Sequence, residues 1–341
     1  MNNGTVNNGT GRAAPTLDDV ARVAGVSRAT VSRVVNGGHL VSSATSEAVG
    51  RAISELGYHP NRVARALATR RAGAVAVVVP ETDERVFTDP FLTQAYHGAL
   101  NAFAGVDFQV LLAMAQPGES SLRMARYLES GHVDGAIVVS HHGPDLARAL
   151  LDGGCPAVFV GDPGVAGLPY VELDQFNAAV AATRHLVEAG ATRIATITGP
   201  LDMNAATERL RGFTAALAEA GLEPVGQLAG DFTARGGERA MAALLDQRTG
   251  MDGLFVASDL MALGAMQALR RARVRVPDDV RVIGFDNSPA ALQTHPLLTT
   301  MTNPAIELAR IAGGMLLGLF SGADIESPVL LTSELIVRGS A

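Results

Sequence analysis

An α/β fold is predicted for this chain: a helical headpiece with a short linking helix, then a two-lobed core of parallel sheets. Three observations carry that expectation. Two capped helical patterns separated by a glycine open the chain after residue 15. From residue 72 onward, apolar runs of strand length alternate with amphipathic helical stretches. Charge also divides unevenly: residues 1–71 hold nine arginines against four acids, net +5, and the remainder holds 18 arginines against 30 acids, net −12. A basic head on an acidic body suits phosphate binding by the head while the body resists nonspecific adhesion. The overall charge of −7 hides this division.

Residues 1–15 are polar, Gly/Asn-rich and without an apolar h-region, so a disordered tail is expected there and no secretory signal. Thr16 with Asp19 three residues on forms a capping box. Val20, Ala21 and Ala24 follow at helical spacing. Gly25 offers the positive φ of a sharp turn, and Ser27 is placed to cap a second helix running to about Val35. Val31 and Val34 face inward; Arg28, Ala29, Thr30 and Arg33 lie on the other side. Two short helices around such a turn make a helix-turn-helix, whose second helix enters a DNA major groove. A packed helical pair with no nucleic-acid role shows the same caps and stripe, so the pattern alone leaves both readings open. A third helix is expected from just after Ser42 to Leu56, stopped by Gly57, with Val49, Ile53 and Leu56 inward. Tyr58-His59-Pro60 is extended through the proline. Asn61 then caps residues 62–68, a helix too short to persist alone in water, or else a plain linker.

The run Leu17-Asp-Asp-Val-Ala-Arg-Val-Ala-Gly25-Val-Ser-Arg-Ala-Thr-Val-Ser-Arg-Val-Val-Asn36 resembles the headpiece of the lactose/galactose-repressor (LacI/GalR) family of bacterial transcription regulators. The likeness continues without a gap through residues 41–47 and 56–68. Later segments fit the same family, so it covers nearly the whole chain after residue 15. It implies DNA contacts from Thr16, Ser27, Arg28, Ala29, Thr30, Arg33 and Asn36. Of these, Arg28, Ala29 and Arg33 would read bases, arginine favouring guanine, and Thr30 and Asn36 would hold phosphate or backbone. It also makes residues 61–71 a hinge that orders on DNA, with Asn61, Arg62 and Ala64 at the duplex and Leu67 as the leucine that wedges into the minor groove.

In the core, strand-length runs fall at residues 74–79, 108–113, 135–139, 157–161, 193–198, 254–257 and 280–285. Helical stretches lie at 92–103, 120–130, 177–189, 208–220, 238–246 and 260–271. This rhythm means parallel sheets flanked by helices, with ligands at the carboxyl ends of strands. The tandem units, roughly 72–173 and 174–302, resemble the lobes of a periplasmic-binding-protein-like core. The family likeness further implies that residues 303–331 return to the first lobe and 332–338 to the second, the last strand spanning 333–338. No helix-length apolar run suggests a membrane segment.

Catalysis finds little support: a nucleophile elbow, a Walker loop, a zinc-protease motif and a dinucleotide fingerprint are all lacking. His141-His142 has no third ligand nearby and reads as a solvated loop pair. Cys155, the one cysteine, reads as a small core hydrophobe. No cofactor or metal is expected. Strand ends do carry groups a cleft needs. Asp89 and Phe91 stand where the family has Asn-Pro-Phe, Ser140 ends the third run, and Asp162 follows the fourth. Arg209 occupies the family's ligand-contacting arginine position. Ser258 precedes a helix, Asp286 lies in Ile-Gly-Phe-Asp-Asn, and Asn303 replaces a common glutamine. Gly161 stands where many relatives carry a ligand-binding aspartate. Asp174 and Asp259 read as helix caps, and Arg211 as a solvated helix residue. A carboxylate or amide beside an arginine suits recognition of sugar hydroxyls.

The expectation is a cytoplasmic, homodimeric regulator, a repressor of a pseudo-palindromic double-stranded operator controlled by a small-molecule effector, a sugar. The chain stops three residues after Arg338, leaving no room for the family's tetramerising leucine repeat. The rivals are a transport-type sugar-binding protein, which has no use for residues 16–68, and a sugar-modifying enzyme on the same fold, which lacks a catalytic constellation.

Overall fold

A computed structural model of the chain describes residues 15–35, 41–58, 71–81, 83–115 and 121–341. The chain divides into two compact units, Met1–Ala72 and Gly73–Ala341.

Among the described residues, three helices build the first unit: α1 (Leu17–Ala24), α2 (Arg28–Val35) and α3 (Ser43–Leu56). At α1 the Asp19 N–H donates to Thr16 Oγ1 (3.3 Å) and the Thr16 N–H to Asp19 Oδ2 (3.0 Å), a reciprocal box that satisfies two donors the helix start leaves unpaired. Gly25 ends α1 with φ 67°, a conformation that would strain a side-chain-bearing residue. Ser27 Oγ accepts the Thr30 N–H (3.1 Å) at the start of α2, and Ser42 Oγ the Thr45 N–H (3.3 Å) at α3. Val20, Val31, Val49, Ala52 and Tyr58 form the buried centre, with Val34, Ile53 and Leu56 packed around it. The residues expected to face inward do so.

The second unit holds two six-stranded sheets. In the first, β1 (Ala74–Val79) lies between β2 (Gln109–Met114) and β3 (Gly135–Val139). Beyond β3 come β4 (Ala157–Val160), β5 (Tyr170–Leu173) and β11 (Val329–Leu331), all parallel. The second is ordered β7 (Gly226–Ala229), β6 (Ile194–Thr198), β8 (Gly253–Val256), β9 (Arg281–Asp286), β10 (Thr299–Thr302) and β12 (Leu335–Ile336). Only its β10–β12 pairing is antiparallel. Central strands are buried along their whole length, as helices on both faces require. The helices are α4 (Asp83–Thr88), α5 (Pro90–Ala102), α6 (Ser121–Tyr127), α7 (Asp145–Gly153), α8 (Gln175–Glu188), α9 (Asn204–Glu219), α10 (Ala234–Asp246), α11 (Asp259–Arg271) and α12 (Ala305–Ser321).

Several elements depart from the periodicity reading. Within the stretch expected at 120–130, α6 covers Ser121–Tyr127 and a wide π turn follows at Leu128–His132, with Gly131 at φ 80°. The final strand is only Leu335–Ile336. Strands β5, β7, β10 and β11 and helices α4, α7 and α12 add to the elements read from periodicity. Of these strands, β5 and β7 are half-buried and short, so neither offers a continuous apolar run. The chain crosses between sheets at residues 173–175, 302–305 and 331–335. These crossings are bonded side by side. The Asp174 N–H donates to Leu331 O (2.8 Å), the Thr302 N–H to Glu334 O (2.8 Å), and Ser333 Oγ to Thr302 O (2.7 Å).

Candidate functional site

On the first unit, α2 turns Arg28, Ala29 and Arg33 to solvent, while Thr30 is half-buried and shares a 2.9 Å hydroxyl contact with Ser27. Thr16 and Ser27 both spend their hydroxyls on caps. Arg28 Nη1 lies 3.8 Å from Asp18. Backbone and hydroxyl bonds from Thr16 together with Arg22 hold the Asp19 carboxyl at about 2. Asn36, Asn61, Arg62, Ala64 and Leu67, with the expected hinge helix and most of the tail, lie outside the described residues.

In the second unit, the carboxyl ends of the strands frame a cleft with about 680 Å³ of atom-free space, part of it open to solvent. Of the residues singled out in the sequence, Asp89, Phe91, Ser140, Arg209, Ser258, Asp286 and Asn303 line it together. Asp162 does not. Its carboxylate turns back to accept the Gly164 N–H (2.8 Å), and the lining position is Gly161, at φ 99°. A side chain one residue past a strand end has swapped faces, which explains the miss.

Arg209 organises the second-lobe wall. Its Nε donates to Gln175 Oε1 (2.8 Å), Nη1 donates to Ala257 O, and Nη2 lies 3.6 Å from Asp286 Oδ1. The guanidinium sits 3.6 Å from the centre of the Phe285 ring. Burial works against its charge, and Asp286, Asp259, Asp89 and Glu172 sustain it. Asn303 Nδ2 donates to Asp286 Oδ1 (3.0 Å). Across the cleft, burial and then the facing Asp286 raise the Asp89 carboxyl to about 6. Asp89 also caps α5, accepting the Phe91 N–H (3.0 Å). Backbone strain gathers here too: Ser140 (φ 59°), Phe232 (φ 61°) and Asp286 (φ 111°) line the cleft in conformations unfavourable to non-glycine residues.

Asp259 is not a helix cap. Ser258 is the cap of α11, its Oγ accepting the Met261 N–H (3.2 Å). The wholly buried Asp259 instead accepts the Ser288 N–H (2.7 Å) and the Thr300 hydroxyl (2.5 Å), with burial and then Asp286 raising its carboxyl to about 8. Asp174 does cap α8, accepting the Asn177 N–H (3.0 Å). Arg211 is solvent-exposed and paired with Glu208. Cys155 is half-buried at a strand approach rather than in a core cluster, and burial pushes its thiol up to about 11.

Nor is the histidine pair a solvated loop feature. His141 is buried in the cleft wall with its ring edge-on to Phe159 (5.3 Å), and burial lowers its pKa. Half-buried His142 bridges the lobes, with Nε2 2.9 Å from Glu81 Oε1 and Nδ1 2.9 Å from Asp202 Oδ2. The Gly143 N–H adds a bond to Asp202 O (2.8 Å). Asn204 Nδ2 reaches Glu172 Oε1 (3.1 Å), a second polar strut between lobes; burial and then Asp162 raise Glu172 to about 7.

Arg85, Glu172, Asn204 and Phe232 line the cleft without a motif to announce them. Arg85, on α4, contacts Glu81, lies 3.9 Å from Asp89, and places its guanidinium 5.1 Å from the Phe232 ring centre. Among the described residues no group of three or more His, Cys, Asp or Glu is arranged to hold a metal ion. No helix among them is long and apolar enough to cross a membrane.

Residues 16–61 match the bacterial regulatory proteins of the lacI family, and residues 183–341 a periplasmic binding protein-like domain. The HTH-type transcriptional regulator CelR of Thermobifida fusca is 44% identical over 339 residues, 96% of this chain and 99% of that protein. The chain belongs to the lacI family. The ribose operon repressor of Escherichia coli K12 is 34% identical over 346 residues, again 96% of this chain and 99% of the relative. A solved lac repressor dimer bound to operator and the anti-inducer ONPF superposes with TM-score 0.85 at 28% identity, covering 96% and 99% of the two chains. A CelR–cellobiose complex gives TM-score 0.74 at 42% identity, covering 96% and 100%. This lacI-family protein is a sequence-specific DNA-binding transcription regulator and not an enzyme.

Proposed function

We propose that the protein is a cytoplasmic homodimer that represses from a pseudo-palindromic operator and releases it when a sugar occupies the cleft. Residues 16–60 form the DNA-binding domain and 61–71 the hinge. The effector domain has one lobe of 72–173 plus 303–331 and another of 174–302 plus 332–338. Arg28, Ala29 and Arg33 read base edges, while Thr30 and Asn36 hold the backbone beside Thr16 and Ser27. Asn61, Arg62, Ala64 and Leu67 act at the minor groove. Asp89, Phe91, Ser140, Arg209, Ser258, Asp286 and Asn303 hold the effector.

The observation that supports this most is the buried Arg209–Asp286–Asn303 group, a donor fork, a carboxylate and an amide at one wall of a cleft between two sheets. Such a set pairs with vicinal hydroxyls, each of which both donates and accepts. The relative crystallised with cellobiose and the operator-bound lac repressor dimer support the same ligand class and assembly by likeness.

The test is anisotropy of a labelled operator, obtained by selection from random duplexes, titrated with sugars including cellobiose. An effective sugar is expected to weaken operator binding by roughly 5- to 150-fold, the usual range of coupling between sites. Arg209→Ala is expected to abolish that response. Tighter operator binding with sugar would overturn induction, and an undiminished response in Arg209→Ala would remove Arg209 from the site.

A further inference from the structure

Among the described residues, three polar atoms of the cleft lining are buried without a hydrogen-bond partner: His141 Nδ1, and a complementary pair, Arg85 Nε (3.9 Å from Asp89 Oδ2) and Asn303 Oδ1. Both side chains of the pair line the cavity, each in a residue 8% exposed. They come from opposite lobes, Arg85 from α4 and Asn303 from the end of β10, and their chemistry is complementary. Arg85 Nε only donates. Asn303 Oδ1 only accepts, its own amide nitrogen being committed to Asp286. A buried donor or acceptor left unmet forfeits its hydration without return. Each therefore marks a place where a ligand atom completes the wall.

Charge restricts that ligand. Arg85 is already paired with Glu81 and lies close to Asp89, and Arg209 lies against Asp286. The cavity lining sets two guanidiniums against three carboxylates, Asp89, Glu172 and Asp286. Both guanidiniums are already engaged by carboxylates, so an entering carboxylate or phosphate dianion finds no unpaired guanidinium in the lining, and its charged group brings no proton for Asn303 Oδ1. An ammonium group satisfies the carboxylates but cannot accept from Arg85 Nε. A hydroxyl does both.

We propose that Arg85 is the first lobe's specificity-determining residue, and that with Asn303 it restricts the effector to an uncharged polyhydroxylated molecule. This rests on the cleft being the effector site and narrows what it admits. Arg85 selects as a fork: Nη1 stays on Glu81 while Nε presents one proton to a ligand oxygen. Lysine cannot divide its contacts in that fixed plane.

Calorimetry on the full chain with matched probes tests this: cellobiose against cellobionate, glucose against glucuronate and glucosamine, ribose against its phosphate ester. A neutral probe is expected to bind, and its charged counterpart to bind weaker by roughly ten- to a hundredfold, the scale of one unmet charged hydrogen bond. Arg85→Lys is expected to lose at least about tenfold for the neutral probe. A charged probe binding as tightly as its neutral counterpart overturns the restriction. An unchanged Kd in Arg85→Lys removes Arg85 from the ligand's reach. If only charged probes bind, the cleft remains an effector site and this inference alone falls; if none binds, the sugar reading falls with it. The wild-type comparison needs no variant, so it decides even if Arg85→Lys folds poorly.

Discussion

At the scale of single residues, His142 carries the most consequential protonation state. Its two ring nitrogens each face a carboxylate, and only imidazolium donates to both. Neutral imidazole leaves one nitrogen lone pair against a carboxylate oxygen. The bond to Glu81, outweighing burial, raises the His142 pKa, with Asp202 adding to the effect. Glu81 stays ionised because His142, Arg85 and Ser140 outweigh its burial. His142 in turn adds, last among the causes, to the lowering of the His141 pKa. The folded protein thus holds the His142 proton more tightly than the unfolded chain. The contribution is complete below the unfolded pKa and is lost as pH rises through the folded one. The thermal midpoint of wild type should exceed that of His142→Gln most at about pH 6 and converge with it in alkaline buffer. A difference independent of pH would mean that His142 acts by packing alone. The sequence reading had this pair solvated, because adjacency of two histidines says nothing about which strand ends their loop meets. Arg209 and Asp286 were legible through the segments around them, whereas Arg85 and Glu172 lie in no motif and reach the cleft only through tertiary placement.

At the scale of elements, the caps and stripes of α1 to α3 were readable because each is a local matter: Thr16, Ser27, Ser42, Gly25 and Gly57 act within a few residues of themselves. Contacts between helices were not. Helices α10 and α11 pack backbone to backbone: a Cβ on Gly264 would lie 1.8 Å from Ala234 O, and one on Gly237 2.1 Å from Met261 O. In sequence Gly264 is one small residue inside Met-Ala-Leu-Gly-Ala-Met, with no sign of the partner helix. Gly264→Ala must push the helices apart or distort both. A loss of about 1–3 kcal/mol is expected, the usual cost of overfilling a packed interior. Urea unfolding followed by circular dichroism measures it; an unchanged midpoint would show that the crossing relaxes freely. Helix α12 packs against α5 and against β3, β4 and β5, which explains its apolar residues on nearly every side. Periodicity alone could not say which sheet it joins.

At the scale of the whole molecule, charge is divided between head and body. With +5 in residues 1–71 and −12 beyond them, operator affinity should fall steeply with salt as counterions are released. The 72–341 fragment should keep ligand binding while losing operator binding. Electrophoretic mobility shift and calorimetry on that fragment check both, and operator binding by it at moderate salt would contradict the division. The βα alternation was legible because parallel strands buried on both faces are continuous apolar runs; β11 and β12, three and two residues long, are too brief for any pattern. The three crossings have a mechanical consequence. A single connecting strand would let one lobe swivel freely on the other. Three strands laced together at 174–331 and 302–334 behave as a flexure, pliant to bending across their width and stiff to torsion. The lobes then have one soft coordinate, so ligands of different shape are converted into the same kind of stroke and differ only in how far along it they drive the molecule.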